Sequence, residues 1–340
     1  MFSRLYCRRT AWSASSAVSL HKTEAALRKN SSGIGIVQNR HPQIARLFLI
    51  TLFFCSVLQA AESTRPAKEF HDIVYKTVNG ESLTLNLFLP AQNGETQKNL
   101  PLLIYLDSGC WHSEGPTDGG LWRRFGALEK GFAIASVSHR SMPKNIFPDQ
   151  IEDVKAAVRF LRAHAQEYGL DAHRFASLGT SSGGHLSTML GISDRYRLFD
   201  VGDHLDQSSQ VQTVINFYSP ADMPYALETS PQNAIDCFFI VLGAKSIPGK
   251  SYADQAPELL AAAKKYTVLS YVDENYAPTL TFQGVADPIV PTSQSCHFHE
   301  ALLRSGVRTQ LHICNTGVHT PESFGSDEEL AAIIFNFLGW

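Results

Sequence analysis

The chain lacks the features that would tie it to several large classes of protein. Its 340 residues contain no Cys-x-x-Cys pair, so thiol-redox and zinc-site readings have little to rest on. Neither charge dominates. There are 29 Lys and Arg against 32 Asp and Glu, for a formal net charge of −3. That balance gives no electrostatic reason to expect nucleic acid or an anionic membrane surface as a partner. The main apolar run, Leu47–Leu58, is 12 residues long, against the ~20 that span a bilayer comfortably. No internal repeat or low-complexity tract is visible. What the chain does have is 44% hydrophobic and 18% charged residues, enough apolar material for a packed core and too much for global disorder.

The first sixty residues differ from the rest. Residues 1–39 are rich in Ser, Arg and Lys without a steady apolar period. Arg40 and Arg46 then precede the apolar run, and Gln59-Ala60-Ala61-Glu62 follows it. A basic flank, a short apolar core and small residues at its end form a secretory signal pattern. Residues 1–61 are therefore read as a leader, with the signal-like segment at about 40–60, and residues 62–340 as the folded domain. A start near Val37 or a long basic region would each explain the position of the signal. The expected destination is secreted or periplasmic, with no stable membrane partner after cleavage; an uncleaved anchor is the weaker reading. Cys55 lacks a small residue before it, against a lipoprotein. Beyond the leader lie Cys110, Cys237, Cys296 and Cys314. An oxidising compartment permits disulfides, and four cysteines allow three complete pairings.

From about Phe70 the chain alternates between strand-like and helix-like stretches. Strands are predicted at Ile73–Val78 and Leu83–Leu89, joined across Asn79-Gly80 as a hairpin. Further strands are predicted at Leu102–Leu106, Phe132–Val137, Phe175–Leu178, Val211–Tyr218, Thr279–Phe282 and Gln310–Cys314. Helices are predicted at Leu121–Lys130, Ser182–Leu190, Thr292–Ser305 and Asp327–Leu338. The clearest helix opens at Pro148-Asp149, with Asp149 and Glu152 spaced as a capping box. Ile151, Val154, Val158 and Leu161 form its apolar stripe, and Gly169 closes it. The alternation predicts an α/β fold: a mostly parallel central sheet with helices on both faces. Residues 222–270 break the rhythm, with several prolines and a helical patch at 256–265, and are read as a small lid insertion or a peripheral helix pair.

The sharpest local signal is Gly179-Thr180-Ser181-Ser182-Gly183. As a bare G-x-S-x-G match it would arise by chance in about one chain of this size in ten. Its position is more specific, because it follows a predicted strand and opens a predicted helix. That is the setting of a nucleophile elbow, where residues two before and two after the serine must be small. A serine hydroxyl needs a base. Asp287 follows the strand at 279–282, and His319, in Gly317-Val318-His319, follows the next. Loops at the carboxyl ends of parallel strands line the crevice of such sheets. His319 would accept the Ser181 proton, and Asp287 would orient the imidazole. Each alone has a bland reading, a turn cap or a surface loop residue; the order of the three favours a triad. His312, within a strand, and His297, within a helix, are the rival bases. An oxyanion hole needs backbone donors, for which Ser182 and Gly109 or Cys110 are the candidates. No metal is expected, since His297 and His299 are two apart on a predicted helix and cannot share a face.

At these motifs the chain resembles the esterase/lipase branch of the α/β hydrolases that includes acetyl-xylan and feruloyl-type esterases. The resemblance runs from about Asp72 to Trp340. It is most specific over Phe147–Asp171, which leads into Gly179–His185, and Ala277–Pro291 is also typical of it. It implies the α/β-hydrolase fold and hydrolysis of small-molecule or polysaccharide-linked esters through an acyl-enzyme, with no cofactor. Relatives usually carry His-Gly-Gly-Gly where this chain has Asp107-Ser108-Gly109-Cys110, and often Ala where it has Ser182. Two other functions are compatible with the same motifs. A serine peptidase of the prolyl-oligopeptidase type normally brings a large extra domain, for which residues 62–340 leave little room. A non-catalytic binding protein on a hydrolase fold would not need Ser181, Asp287 and His319 together.

Overall fold

Asn79 and Gly80, with φ of 52° and 82°, turn strand β1 (Lys68–Val78) directly into β2 (Glu81–Leu89). Two consecutive positive φ values are what a two-residue type I′ hairpin requires, and Asn-Gly supplies them cheaply. The structure, a computed structural model, describes residues 68–92, 95–96, 99–197, 199–230, 232–243 and 257–340. The expected leader at 1–61, its signal-like segment and the domain boundary at 62 lie outside the described residues.

A small hairpin, β3 (Ala91–Gln92) and β4 (Glu95–Thr96), follows β2. The remaining strands are β5 (Leu100–Leu106), β6 (Ala133–Val137), β7 (Leu170–Thr180), β8 (Thr213–Phe217), β9 (Thr279–Gly284) and β10 (Thr309–Cys314). The helices are α1 (Leu121–Arg124), α2 (Asp149–Ala163), α3 (Ala165–Tyr168), α4 (Ser181–Leu190), α5 (Met223–Thr229), α6 (Gln232–Val241), α7 (Pro257–Lys265), α8 (Thr292–Arg304) and α9 (Asp327–Leu338). The main sheet runs β1-β2-β6-β5-β7-β8-β9-β10. β1, β2 and β6 pair antiparallel, and every pair from β6 to β10 is parallel. The mostly parallel α/β sheet expected from the alternation is therefore present.

The two faces follow from the two-residue period of the strands. Leu85, Leu87, Leu102, Ile104 and Leu106 point to one side, where Ile151, Val154, Val158 and Leu161 of α2 and Phe298 and Leu302 of α8 cover them. Phe88, Leu103 and Tyr105 point to the other, under Trp122 of α1 and Leu330, Ile334 and Phe337 of α9. Each such side chain, fully buried, contributes about 1.5–3 kcal/mol before the entropy of ordering it.

Two helix expectations need correction. The helix predicted over 121–130 stops at Arg124, because Gly126 takes a φ of 60° and turns the chain. The capping box predicted at Asp149 and Glu152 does not form. Pro148 is the N-cap, without a side-chain cap, and both carboxylates turn to the Arg140 guanidinium instead. Arg140 also bonds Asp153, whose side chain is fully buried and bridges to Lys76. This cluster fixes the junction between β6 and α2. A capping box does form at the start of α9, between Ser326 and Glu329. Between β8 and β9, over the segment read as a lid insertion or a peripheral helix pair, α5, α6, α7 and a 3-10 turn at Val268–Tyr271 are described; residues 231 and 244–256 are not among the described residues.

Candidate active site

The strand–turn–helix expected around Ser181 is present, with Thr180 the last residue of β7 and Ser181 the first of α4. Thr180 is extended, and Ser181 has a φ of 53°. A non-glycine residue in that region stores of order 1–3 kcal/mol and persists only where its surroundings impose it. Here they do. A Cβ on Gly179 would overlap the Gly183 carbonyl, and one on Gly183 would overlap the carbonyls of Leu106 and Asp107. The two glycines let the turn close on itself and let β5 approach from below. Ser181 is thereby lifted from the sheet, with the first backbone N–H groups of α4 beside it and the positive end of the helix favouring negative charge there.

Asp287 and His319 meet in the loops after β9 and β10. His319 Nδ1 donates to Asp287 Oδ2 over 2.8 Å. The Asp287 carboxylate is fully buried, and the imidazole is 18% exposed. The other carboxylate oxygen accepts from the backbone N–H groups of Ile289 (2.8 Å) and Val290 (2.9 Å). These bonds satisfy an ionised carboxylate and fix its direction. The two loops are joined by their backbones: Ala286 N–H donates to the Gly317 carbonyl over 2.9 Å. A Cβ on Gly284 would collide with Gly317, so only glycine permits this approach. With Nδ1–H committed to Asp287, Nε2 is the nitrogen left to act as a base.

The rival histidines lie elsewhere. His312 stacks on Phe282 at 5.1 Å, and burial lowers its pKa. His297 packs against Tyr225 at 4.9 Å. Neither has a hydrogen bond to Asp287 among the described contacts.

The loop after β5 departs most from what glycine-rich relatives would lead one to expect. Gly109, Cys110 and Trp111 have φ values of 118°, 54° and 59°, three successive residues in the left-handed region, two of them not glycine. Cys110 is bonded to Cys237 of α6, with 5.8 Å between Cα atoms, whereas Cys296 and Cys314 do not form a second disulfide with each other, so none of the three complete pairings is realised. Trp111 is 2% exposed, and its indole N–H donates to His185 Nδ1 over 3.4 Å. His185 sits one turn along α4 from Ser181. Its Nε2–H donates to the Tyr266 carbonyl over 3.0 Å, and burial pushes its pKa down to about 4. A small pocket joins Cys110, Trp111, Ser181, Ser182, Cys237, Phe238 and Val290, with about 20 Å³ of free space among the described residues. Ser182 is buried, and its hydroxyl has no hydrogen-bond partner there. A larger open cleft of about 710 Å³ lies across the same loop, lined by His112, Ser113, His139, Ser141 and Asn145 among others; it does not include Ser181.

Three neighbours of the site escaped sequence reasoning. Gln283 is fully buried and donates to Asp287 Oδ2 at 3.3 Å and to the Val290 carbonyl at 3.2 Å, while Ser295 holds its oxygen at 2.8 Å. Tyr218, with a φ of 40°, lies with its ring 4.4 Å from that of His319. His185 is the third. Only its place one turn after the nucleophile was a signal, and nothing local said what it would face.

A mostly parallel sheet whose β7 ends in a strained serine elbow, with an acid and a histidine after later strands, is the architecture of the α/β-hydrolase class. Within that class, residues 85–302 match the family BD-FAE, and the chain belongs to it. It is 28% identical over 218 residues to esterase LipC of Mycobacterium tuberculosis, covering 63% of this chain and 51% of that one. It is 26% identical over 212 residues to esterase LipQ of the same organism, covering 62% and 48%. The chain thus spans about half the length of these curated relatives. Among solved structures it is similar to a truncated carbohydrate esterase from gut microbiota. The TM-score is 0.68 at 23% identity, over 82% of this chain and 99% of that one, which speaks for the fold.

Proposed function

We propose that this protein is an exported serine carboxylesterase acting through an acyl-enzyme. The observation that carries the reading is the Asp287–His319 bond of 2.8 Å on the same crest as Ser181 at its strained elbow. Ser181 Oγ attacks the ester carbonyl carbon while His319 Nε2 takes its proton. The carbonyl oxygen becomes an oxyanion that accepts hydrogen bonds from the backbone N–H of Ser182 and of Gly109 or Cys110. Each donor is worth ~3 kcal/mol in the transition state. Collapse of the intermediate expels the alcohol, which takes the proton from His319. Water, deprotonated by the same imidazole, then releases the acid and restores Ser181. Asp287, held by Ile289, Val290 and Gln283, stabilises the imidazolium that forms in each half.

The small pocket beside Ser181 supports a short acyl group, since about 20 Å³ of free space is little more than one water needs. The alcohol part would be a small molecule or a polysaccharide-linked group. The likeness to a gut carbohydrate esterase is in keeping with the latter. Export is supported by the signal-like leader and by a disulfide of the kind that persists in oxidising compartments. The test is hydrolysis of p-nitrophenyl acetate by the purified protein, with fluorophosphonate labelling of Ser181. Ser181→Ala is expected to abolish both. Full hydrolysis by that variant would refute the assignment.

A further inference from the structure

The loop that presents Gly109 and Cys110 is folded against its own preferences. Cys110 and Trp111 both sit at positive φ, where side chains are rarely found, and the related branch usually has glycine in place of Cys110. Two ties oppose the tendency to relax. One is the buried Trp111, held by its bond to His185 and by ring contacts to Phe147 at 5.4 Å and Phe238 at 5.8 Å. The other is the Cys110–Cys237 bond, which reaches across 127 residues of sequence and fixes the strained residue itself. Cys237 and Phe238 are consecutive on α6, so one stretch of the insertion grips two consecutive residues of the loop.

We infer that Cys237 is a positioning residue for catalysis. By bonding Cys110 it holds the backbone N–H groups of Gly109 and Cys110 toward the oxyanion, a task that glycine-rich loops perform by conformational freedom alone. Turnover therefore depends on the oxidised state of this pair. The inference rests on the serine-esterase reading above, and it adds a role for the insertion, whose α6 becomes part of the support of the oxyanion hole. Without the bond the loop can relax by an ångström or so. A misplacement of that size costs up to ~100-fold in rate. The loss falls on kcat more than on KM, because the donors engage the oxyanion more strongly than the ground-state carbonyl.

The experiment compares oxidised wild type, wild type reduced with dithiothreitol, Cys237→Ala, and the double variant Cys110→Gly/Cys237→Ala. In the reduction, the disulfide becomes two thiols and the dithiol becomes its cyclic disulfide, so two electrons pass to the protein. The readouts are kcat and KM for p-nitrophenyl acetate, and the rate and final amplitude of fluorophosphonate labelling. Reduction and Cys237→Ala are expected to lower kcat and the labelling rate ~10- to 100-fold. KM stays within about twofold and the labelled fraction is unchanged, which separates misplacement from unfolding. Reoxidation restores wild type only. In the double variant, glycine adopts the left-handed conformation freely, so kcat recovers to within about fivefold of wild type. If Cys237→Ala does not fold, the double variant decides: recovery supports the inference and its absence overturns it. If the reduced protein and Cys237→Ala keep kcat within twofold of wild type, the inference fails. The esterase reading then still stands on the Ser181→Ala result.

Discussion

Lowering the pH should loosen this protein through His185, and the size of the effect follows from its surroundings. The imidazole is 1% exposed, and its two nitrogens are committed in opposite senses. Nδ1 accepts from the Trp111 indole, and Nε2–H donates to the Tyr266 carbonyl. Only the neutral tautomer satisfies both partners, because a proton on Nδ1 would face the indole N–H. Burial accordingly lowers the pKa from 6.5 to about 4. The folded state thus binds this proton more weakly than the unfolded chain does. Stability from this group is complete above pH 6.5 and is lost as the pH falls toward 4. By pH 4.5 the loss is roughly 2–3 kcal/mol, a large part of the ~5–15 kcal/mol that holds a typical domain together. The measurement is urea unfolding of wild type and of His185→Gln between pH 7.5 and 4.5. Glutamine keeps one acceptor and one donor and does not titrate. Other titrating groups contribute equally to both proteins and cancel. Wild type is expected to lose roughly 2–3 kcal/mol more than the variant over that range. Parallel pH dependences would show that the reasoning about this histidine is wrong.

Two further substitutions probe the site and its support. Asp287→Asn removes the charge that orients His319, and kcat for p-nitrophenyl acetate should fall ~10⁴-fold with the fold intact; a loss under about tenfold would remove Asp287 from the mechanism. Arg140→Met leaves the fully buried Asp153 carboxylate with Lys76 as its remaining cation, and should cost about 3 kcal/mol in urea unfolding. An unchanged midpoint would mean that the cluster contributes nothing net.

The esterase motifs differ in how far sequence reveals them, and the reason is range. The elbow at Ser181 was legible because its parts are contiguous. A buried strand, two glycines flanking the serine and a following helix all lie within about twenty residues, and the steric demand for glycine is local. The hairpin at Asn79-Gly80 and the stripe of Ile151, Val154, Val158 and Leu161 were legible for the same reason. The predicted capping box failed because Arg140, outside the helix, competes successfully for both carboxylates. The helix predicted at 121–130 failed because Gly126 uses a conformation that periodicity does not register.

Sequence alone could say that Asp287 and His319 follow strands in the right order, but not that they meet. Their meeting depends on Gly284 and Gly317, residues 33 positions apart whose backbones touch only when β9 and β10 lie side by side. Likewise, four cysteines allow three complete pairings, and only the packing of α6 brings Cys237 to Cys110. Local sterics and periodicity settle the elbow at Ser181 and place Asp287 and His319 after successive strands. Which histidine reaches Asp287, and which cysteine bonds Cys110, depends on contacts between distant segments, which exist only once the sheet has formed.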